Sequence, residues 1–329
     1  MPTTYAHYRF GQDVLEQLPA DQRAVLLAHR PIFDFGVHGP DVLFYYRPMG
    51  KNPVNRKGYD CHSRTGRDFF TEAISAVKAS PEREAAWVYL CGVLCHFALD
   101  RECHPYVGEK EKTGVSHSAI EASFDRFLME KDGLDPVRHN VTAHLHPSQA
   151  TAAVMAPFYA PVTPGEVFAA EKSMVFYLKA LIAHGQKRAA LVRAAKLIGK
   201  PQFEDMFVPY VQNPRCIDSD GRLFELYQGA VPLAVTLIRE AGEVLIEKVE
   251  KDDLFTNPAL FISSYKGYMD RIKVNSSSKD ALDVTLTLDE DTAARFVLKD
   301  IRFLDKKGKS DFPLDEKSLP HSYVITDLR

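Results

Sequence analysis

Five side chains in this 329-residue sequence combine donor type and spacing in a way that points to chemistry: His96, Asp100 and His104, set four apart, and His117 with Glu121, again four apart. The run Ala85–Leu99 carries no formal charge, yet it holds His96 and leads directly into Asp100. Buried polar and ionised groups must be hydrogen-bonded, paired or metal-bound, because burying them bare costs several kcal/mol each. On an α-helix, residues four apart lie about 6 Å apart along the axis and about 40° apart around it, so 96, 100 and 104 form one ladder over two turns. A carboxylate between two imidazoles has two oxygens with which to join neighbouring ions, which makes Asp100 the candidate bridge. Imidazole and carboxylate without thiolate is the donor mixture of zinc sites that keep a position open to water. The expectation is a multinuclear zinc site.

The elements that must position these groups read as helices over the first 250 residues. Phe10, Val14, Leu15 and Leu18 form one face of an N-terminal helix, and His7 lies on that same inward face. Residues 34–55 contain Gly36, Gly39, Pro40, Pro48, Gly50 and Pro53, so a long ordered loop carrying Phe44, Tyr45 and Tyr46 is expected there. A helix should follow over about 64–79 with His62 near its beginning. The central helix should then run from about Glu82 to Cys103 and stop at His104-Pro105, since proline disfavours helical geometry in the residue before it. Further helices are expected at 117–131, 166–197 and 222–251, the last kinked at Pro232.

After the serine run 276–278 the pattern changes to alternation, with Val284, Leu286 and Leu288 apolar and strand-like runs at 295–304 and 322–326. The fold class expected is therefore mainly α: a helical domain over 1–275 and a small strand-rich appendage or tail over 276–329. A segment of that size has little stability of its own.

Composition narrows the partners. A formal net charge of −3 gives no overall basic field for nucleic acid or a membrane surface. Five cysteines, 61, 91, 95, 103 and 216, suit free thiols in a reducing compartment. The N-terminal residues show no basic-then-apolar signal segment, and no apolar run is long enough to cross a bilayer, so a cytoplasmic protein is expected. Asp34 and His38 stand close to Asp41 and are alternatives to it as ligands. His139, His144 and His146 read as a polar loop, and His29, His184 and His321 have no partners in pattern.

The ordered set His7, Asp41, His62, His96-x3-Asp100-x3-His104, His117-x3-Glu121 resembles the zinc-dependent phospholipase C family of bacteria and the single-strand zinc nucleases that share its fold. The resemblance covers roughly residues 2–260, and 96–121 is its most specific part. It implies a mostly helical single domain with two or three zinc ions. One ion would be held by Asp41, His62, His96 and Asp100, and a second by His104, His117 and Glu121. A third would take His7, the other oxygen of Asp100 and the amino-terminal residue, which is Pro2 once Met1 is trimmed. The secreted relatives expose a tryptophan there, so Pro2 departs from the pattern. The activity implied is phosphodiester hydrolysis in which zinc-bound hydroxide attacks phosphorus, with Asp41 as an orienting or general-base carboxylate. The substrate would be a phospholipid head group or a nucleotide, with no stable nucleic acid complex. A single-strand nuclease, a soluble phosphodiesterase of the same fold and a metal-stabilised binding protein without turnover are the alternatives.

Overall fold

The chain is described here by a computed structural model, which describes residues 4–197 and 199–242 in full and, beyond them, the backbone of 243–245 and of three strands, 275–278, 281–287 and 322–326. It separates into two units, residues 1–247 and 248–329. The protein is mainly α. In the second unit the strands β1 (Asn275–Ser278), β2 (Ala281–Thr287) and β3 (Ser322–Thr326) form an antiparallel sheet in that order, with Val284 opposite Ile325 and Leu286 opposite Tyr323. The strand expected at 295–304 lies outside the described residues, as do Pro2 and His321.

Helix α6 (Arg83–Glu111) is the axis of the first unit. Its first half has no polar face: Ala85, Ala86 and Val88–Leu94 are all buried, as are Cys95, His96, Ala98 and Leu99, and a helix apolar all round can be stable only with neighbours on every side. Helix α11 (Ile217–Leu245) packs along it. The α11 contribution is the stripe Leu223, Tyr227, Ala230, Val231, Ala234, Leu237, Ile238 and Ala241, each no more than 4% exposed. Its spacing of three and four residues is that of a helix face turned to a core.

Helix α3 (Arg30–Gly36) meets α6 backbone to backbone. A Cβ built on Gly36 would stand 2.7 Å from the carbonyl oxygen of Tyr89, and one on Gly92 would stand 2.6 Å from Cα of Gly36. Only a glycine pair permits that approach, which brings the turn after α3 onto the His96 level of α6.

Three expectations are corrected. The region 34–55 is not a long loop: α3 is followed by a 3₁₀ segment, Gly39–Tyr45, and then by α4 (Pro53–Ser63). Pro40 and Pro53 sit in the first turns of these elements, where the missing N–H has no helical acceptor to lose. His62 consequently ends α4 rather than beginning α5 (Gly66–Ala79). The central helix does not stop at His104-Pro105 but runs two turns further, with Pro105 inside it. An interior proline costs a helix about 3 kcal/mol, and α6 carries on because α11 and α7 (His117–Lys131) pack against it. The expected helix 166–197 is two, α9 (Pro164–Leu181) and α10 (Gly185–Leu197), divided where Gly185 takes φ +57°. The remaining helices are α1 (Thr4–Gln17), α2 (Ala20–Ala28) and α8 (Gln149–Met155). Among the described residues no helix is long and apolar enough to cross a membrane.

Candidate metal centre

Five elements bring their donors to one place. Helix α1 supplies His7, the 3₁₀ segment Asp41, α4 His62, α6 the ladder His96, Asp100 and His104, and α7 His117 and Glu121. The side chains form three groups in which the donor atoms all lie within 4.8 Å of one another: His7, His96 and Asp100; Asp41, His62 and His96; and His104, His117 and Glu121. Two donors on one ion at zinc-ligand bond lengths of about 2.0–2.2 Å are at most about 4.4 Å apart, so each group is close to binding size.

Asp100 is the hub. Its Oδ1 lies 3.3 Å from His7 Nε2 and 3.5 Å from His104 Nε2, while Oδ2 lies 3.3 Å from His96 Nε2 and 4.0 Å from His62 Nε2. Asp41 Oδ1 is 3.0 Å from His62 Nε2. Glu121 Oε1 is 3.0 Å from His117 Nε2 and 3.6 Å from His104 Nε2, which ties the α7 pair to the foot of the ladder.

The local structure explains the aim of each ring. Gly39, at φ +50°, lies flat against His96, and a Cβ there would fall 2.7 Å from the imidazole. His7 stacks on His96 with ring centroids 4.6 Å apart. His62 Nδ1 lies 2.8 Å from the carbonyl oxygen of Gly58, to which it can only donate, so a neutral ring turns its Nε2 lone pair toward Asp41. A lone pair facing a carboxylate at 3.0 Å needs a proton or a cation between them.

The electrostatics have the same requirement. Burial opposes ionisation of Asp100, yet His96, His104 and His7 hold its carboxyl well below the usual range. Asp100 raises His104 to about 9 against burial, and burial lowers His96 to about 4. His96 therefore stays neutral beside an ionised Asp100. Both of its ring nitrogens and Nδ1 of His7 are buried without a hydrogen bond, an arrangement natural proteins avoid unless a ligand completes it. The donor set and these orphaned nitrogens fit zinc.

The alternatives to Asp41 are engaged elsewhere. Asp34 is paired with Arg30 at 2.6 Å. His38, 2% exposed, places Nε2 at 2.8 Å from Nε2 of His144, and His144 stacks on Tyr8 at 4.1 Å. The segment holding His139, His144 and His146 is thus no simple polar loop, because His144 is part of the core. His29 pairs with Glu84 at the surface. All five cysteines are free and buried, and among the described residues none joins a metal-competent group.

One further residue bears on the geometry and was missed in the sequence. Asp125, 4% exposed, accepts the backbone N–H groups of Tyr5 at 3.1 Å and Ala6 at 2.8 Å, clamping the first turn of α1, and so His7, to α7. The signal was present: His117, Glu121 and Asp125 continue the i, i+4 ladder beside apolar Phe124 and Leu128.

Around the mouth, His62, His104 and His117 are 28%, 35% and 35% exposed, while His7 and His96 are at 5%. Phe44 stacks on His62 at 5.3 Å and Tyr59 lies against Phe44 at 4.5 Å. Tyr45 is buried and does not line this opening.

No curated protein and no solved structure matches the chain significantly. A family profile does: residues 6–159 match that of the zinc dependent phospholipase C family. The matched span begins one residue before His7 and contains every donor of the three groups through Glu121. Over residues 6–159, just under half of its length, this chain is similar to the zinc dependent phospholipase C family.

Proposed function

We propose that the protein is a zinc-dependent phosphodiester hydrolase, with a phospholipid as the substrate class the matched family's name implies. The observation that carries this reading is the hub at Asp100, where both oxygens of one half-buried carboxylate face imidazoles from α1, α4 and α6. Asp41, His62, His96 and Asp100 would hold one ion, His104, His117 and Glu121 a second, and His7 with Asp100 would contribute to a third. Zinc bound there supplies Lewis acidity toward a phosphoryl oxygen and lowers the pKa of water toward neutrality.

The chain's own residues divide the remaining work. Although burial opposes it, the Asp41 carboxyl is held below the usual range, the His62 hydrogen bond and His96 contributing. A carboxylate that weakly basic is better suited to orienting a neighbouring proton donor than to removing a proton. Phe44 and Tyr59 give the opening an apolar wall for the organic part of a diester. Exposure of His62, His104 and His117 on one side, against burial of His7 and His96, favours an open site over a saturated structural one.

Metal analysis of the purified protein, combined with a panel of a chromogenic phosphodiester, phosphatidylcholine and single-stranded DNA, tests the reading. Two or three zinc ions per chain are expected, with hydrolysis abolished by chelation and by Asp100→Ala. Full activity in a metal-free preparation would overturn it. Zinc without turnover of any diester would leave a metal-stabilised binding protein.

A further inference from the structure

Charge and apolar exposure are unevenly placed on this surface. The 3₁₀ segment, the turn after it and α4 contain Arg47, Lys51, Arg56 and Lys57 between residues 46 and 59, with no acidic residue in that stretch, in a chain whose net charge is −3. None of the four forms an ion pair with an acid among the described residues, whereas Arg64, further on, is taken by Glu72. Arg47 lies over the Tyr46 ring at 5.2 Å, and Glu166 is the acid whose charge it feels. The same stretch holds two of the large apolar side chains that stand exposed, Met49 at 72% and Tyr59 at 64%.

This display is built into the fold. The Asn52 side chain donates to the carbonyl oxygen of Tyr46 at 2.9 Å and of Gly50 at 3.2 Å, and the Asn55 amide reaches Gly50 at 2.9 Å. Asn52 and Asn55 also form a reciprocal capping box at the start of α4. Met49 therefore sits on a turn whose carbonyls are tied down, with its side chain in solvent. Nothing within the described fold requires an apolar group there.

We propose that residues 46–59 are a docking surface for an anionic phospholipid bilayer, with Met49 and Tyr59 entering the interface and Arg47, Lys51, Arg56 and Lys57 facing lipid phosphates. Basic residues next to an anionic leaflet and an apolar or aromatic side chain at headgroup depth are the two contributions that hold a protein on a membrane. Met49 favours lipid over a nucleic acid strand, because bases stack on planar rings and a thioether has no such face. The position suits the site: Tyr59 packs on Phe44, which packs on His62, so docking brings the bilayer to the exposed edge of the metal centre. This deepens the phosphodiester-hydrolase reading and rests on it for its purpose, but its test reads binding rather than turnover.

The full chain is to be sedimented with phosphatidylcholine vesicles and with vesicles that also contain phosphatidylserine, at low and high salt. Binding is expected to the anionic vesicles, to weaken with salt, and to fall about 25-fold in the Lys51→Ala/Arg56→Ala variant, about fivefold for each basic residue lost. Met49→Ser should also lower it. Hydrolysis of a short, water-soluble diester should be unchanged in all three proteins. Equal binding to neutral and anionic vesicles, or variants that bind as the wild type does, overturns the proposal. Tighter, Lys51- and Arg56-dependent binding of single-stranded DNA also overturns it, in favour of a strand-binding surface. Vesicle binding without hydrolysis of any diester would sink the enzymatic reading and leave the docking surface standing; hydrolysis without vesicle binding would do the reverse.

Discussion

Asp125→Ala should separate the positioning of His7 from the general stability of the fold. The carboxylate accepts two backbone N–H groups at 3.1 and 2.8 Å, in the two residues just before His7. Leaving a buried N–H without an acceptor costs about 1–3 kcal/mol, so two give about 2–6 kcal/mol. Part of that is offset, because burial has pushed Asp125 up to about 8 and the substitution also removes a carboxyl that the interior disfavours. A net loss of about 2 kcal/mol is expected, which a domain of roughly 5–15 kcal/mol survives. The first turn of α1 then loses its hold on α7, and the ion that depends on His7 should be lost, while the His104–His117–Glu121 group, on α6 and α7, keeps its own. Asp132→Asn is the control: Asp132 also joins α1 to α7, through Tyr5 Oη at 2.6 Å and Arg9 Nε at 2.7 Å, but it touches only side chains. Zinc per chain by mass spectrometry and stability by urea denaturation should show about one ion fewer in Asp125→Ala and an unchanged count in Asp132→Asn. Reduced stability in Asp125→Ala with the wild-type zinc content would refute the reasoning, since the carboxylate would then only glue two helices together.

Two more predictions concern neighbouring elements. Glu171 on α9 is fully buried, accepts the Ser148 N–H at 3.0 Å, and is raised by burial from 4.5 to about 8. The folded chain thus holds a proton there that the unfolded chain releases near its ordinary value, so this contribution is complete below about pH 4 and is lost as pH rises toward 8. Glu171→Gln, which keeps the acceptor and cannot ionise, should match the wild type at pH 5 to within about 1 kcal/mol and exceed it at pH 8.5 by on the order of 2–4 kcal/mol in urea denaturation; the same stability difference at both pH values would count against it. Gly39→Ala places a Cβ at φ +50° and 2.7 Å from the His96 ring; the backbone strain alone is about 1–2 kcal/mol. A loss of zinc content out of proportion to the fall in melting temperature is expected, and unaltered zinc binding would show that His96 is not held by that contact.

The sequence could disclose the ladder because its information is local. Helical periodicity ties residues 96, 100 and 104 to one face whatever surrounds them, and the same holds for 117 and 121. The donors on other elements were legible only through resemblance, since nothing local relates His7 on α1 to Asp100 on α6. The misreading of 34–55 has a physical cause: glycine and proline break helices in their interiors, but Pro40 and Pro53 stand in first turns and Gly36 serves a contact with Gly92. Pro105 misled in the opposite way, because a local rule that ends an isolated helix is outweighed when tertiary packing carries the helix on.

His38 and His144 mark where local reasoning runs out. They lie 106 positions apart, and their buried Nε2 atoms meet at 2.8 Å. From the sequence, His38 competed with Asp41 for a ligand role because both fall in the same stretch. The fold decides between them by direction: the turn at Gly39 sends Asp41 toward His62, while His38 turns to the segment beyond α7. A carboxylate and an imidazole three positions apart thus serve different clusters, and the residue between them that makes the reversal possible has no side chain at all. Spacing along the chain identifies donors that share an element; which donors meet across elements is set by contacts such as Gly36 on Gly92 and the Asp125 carboxylate on the N–H groups of α1, made by residues outside the three donor groups.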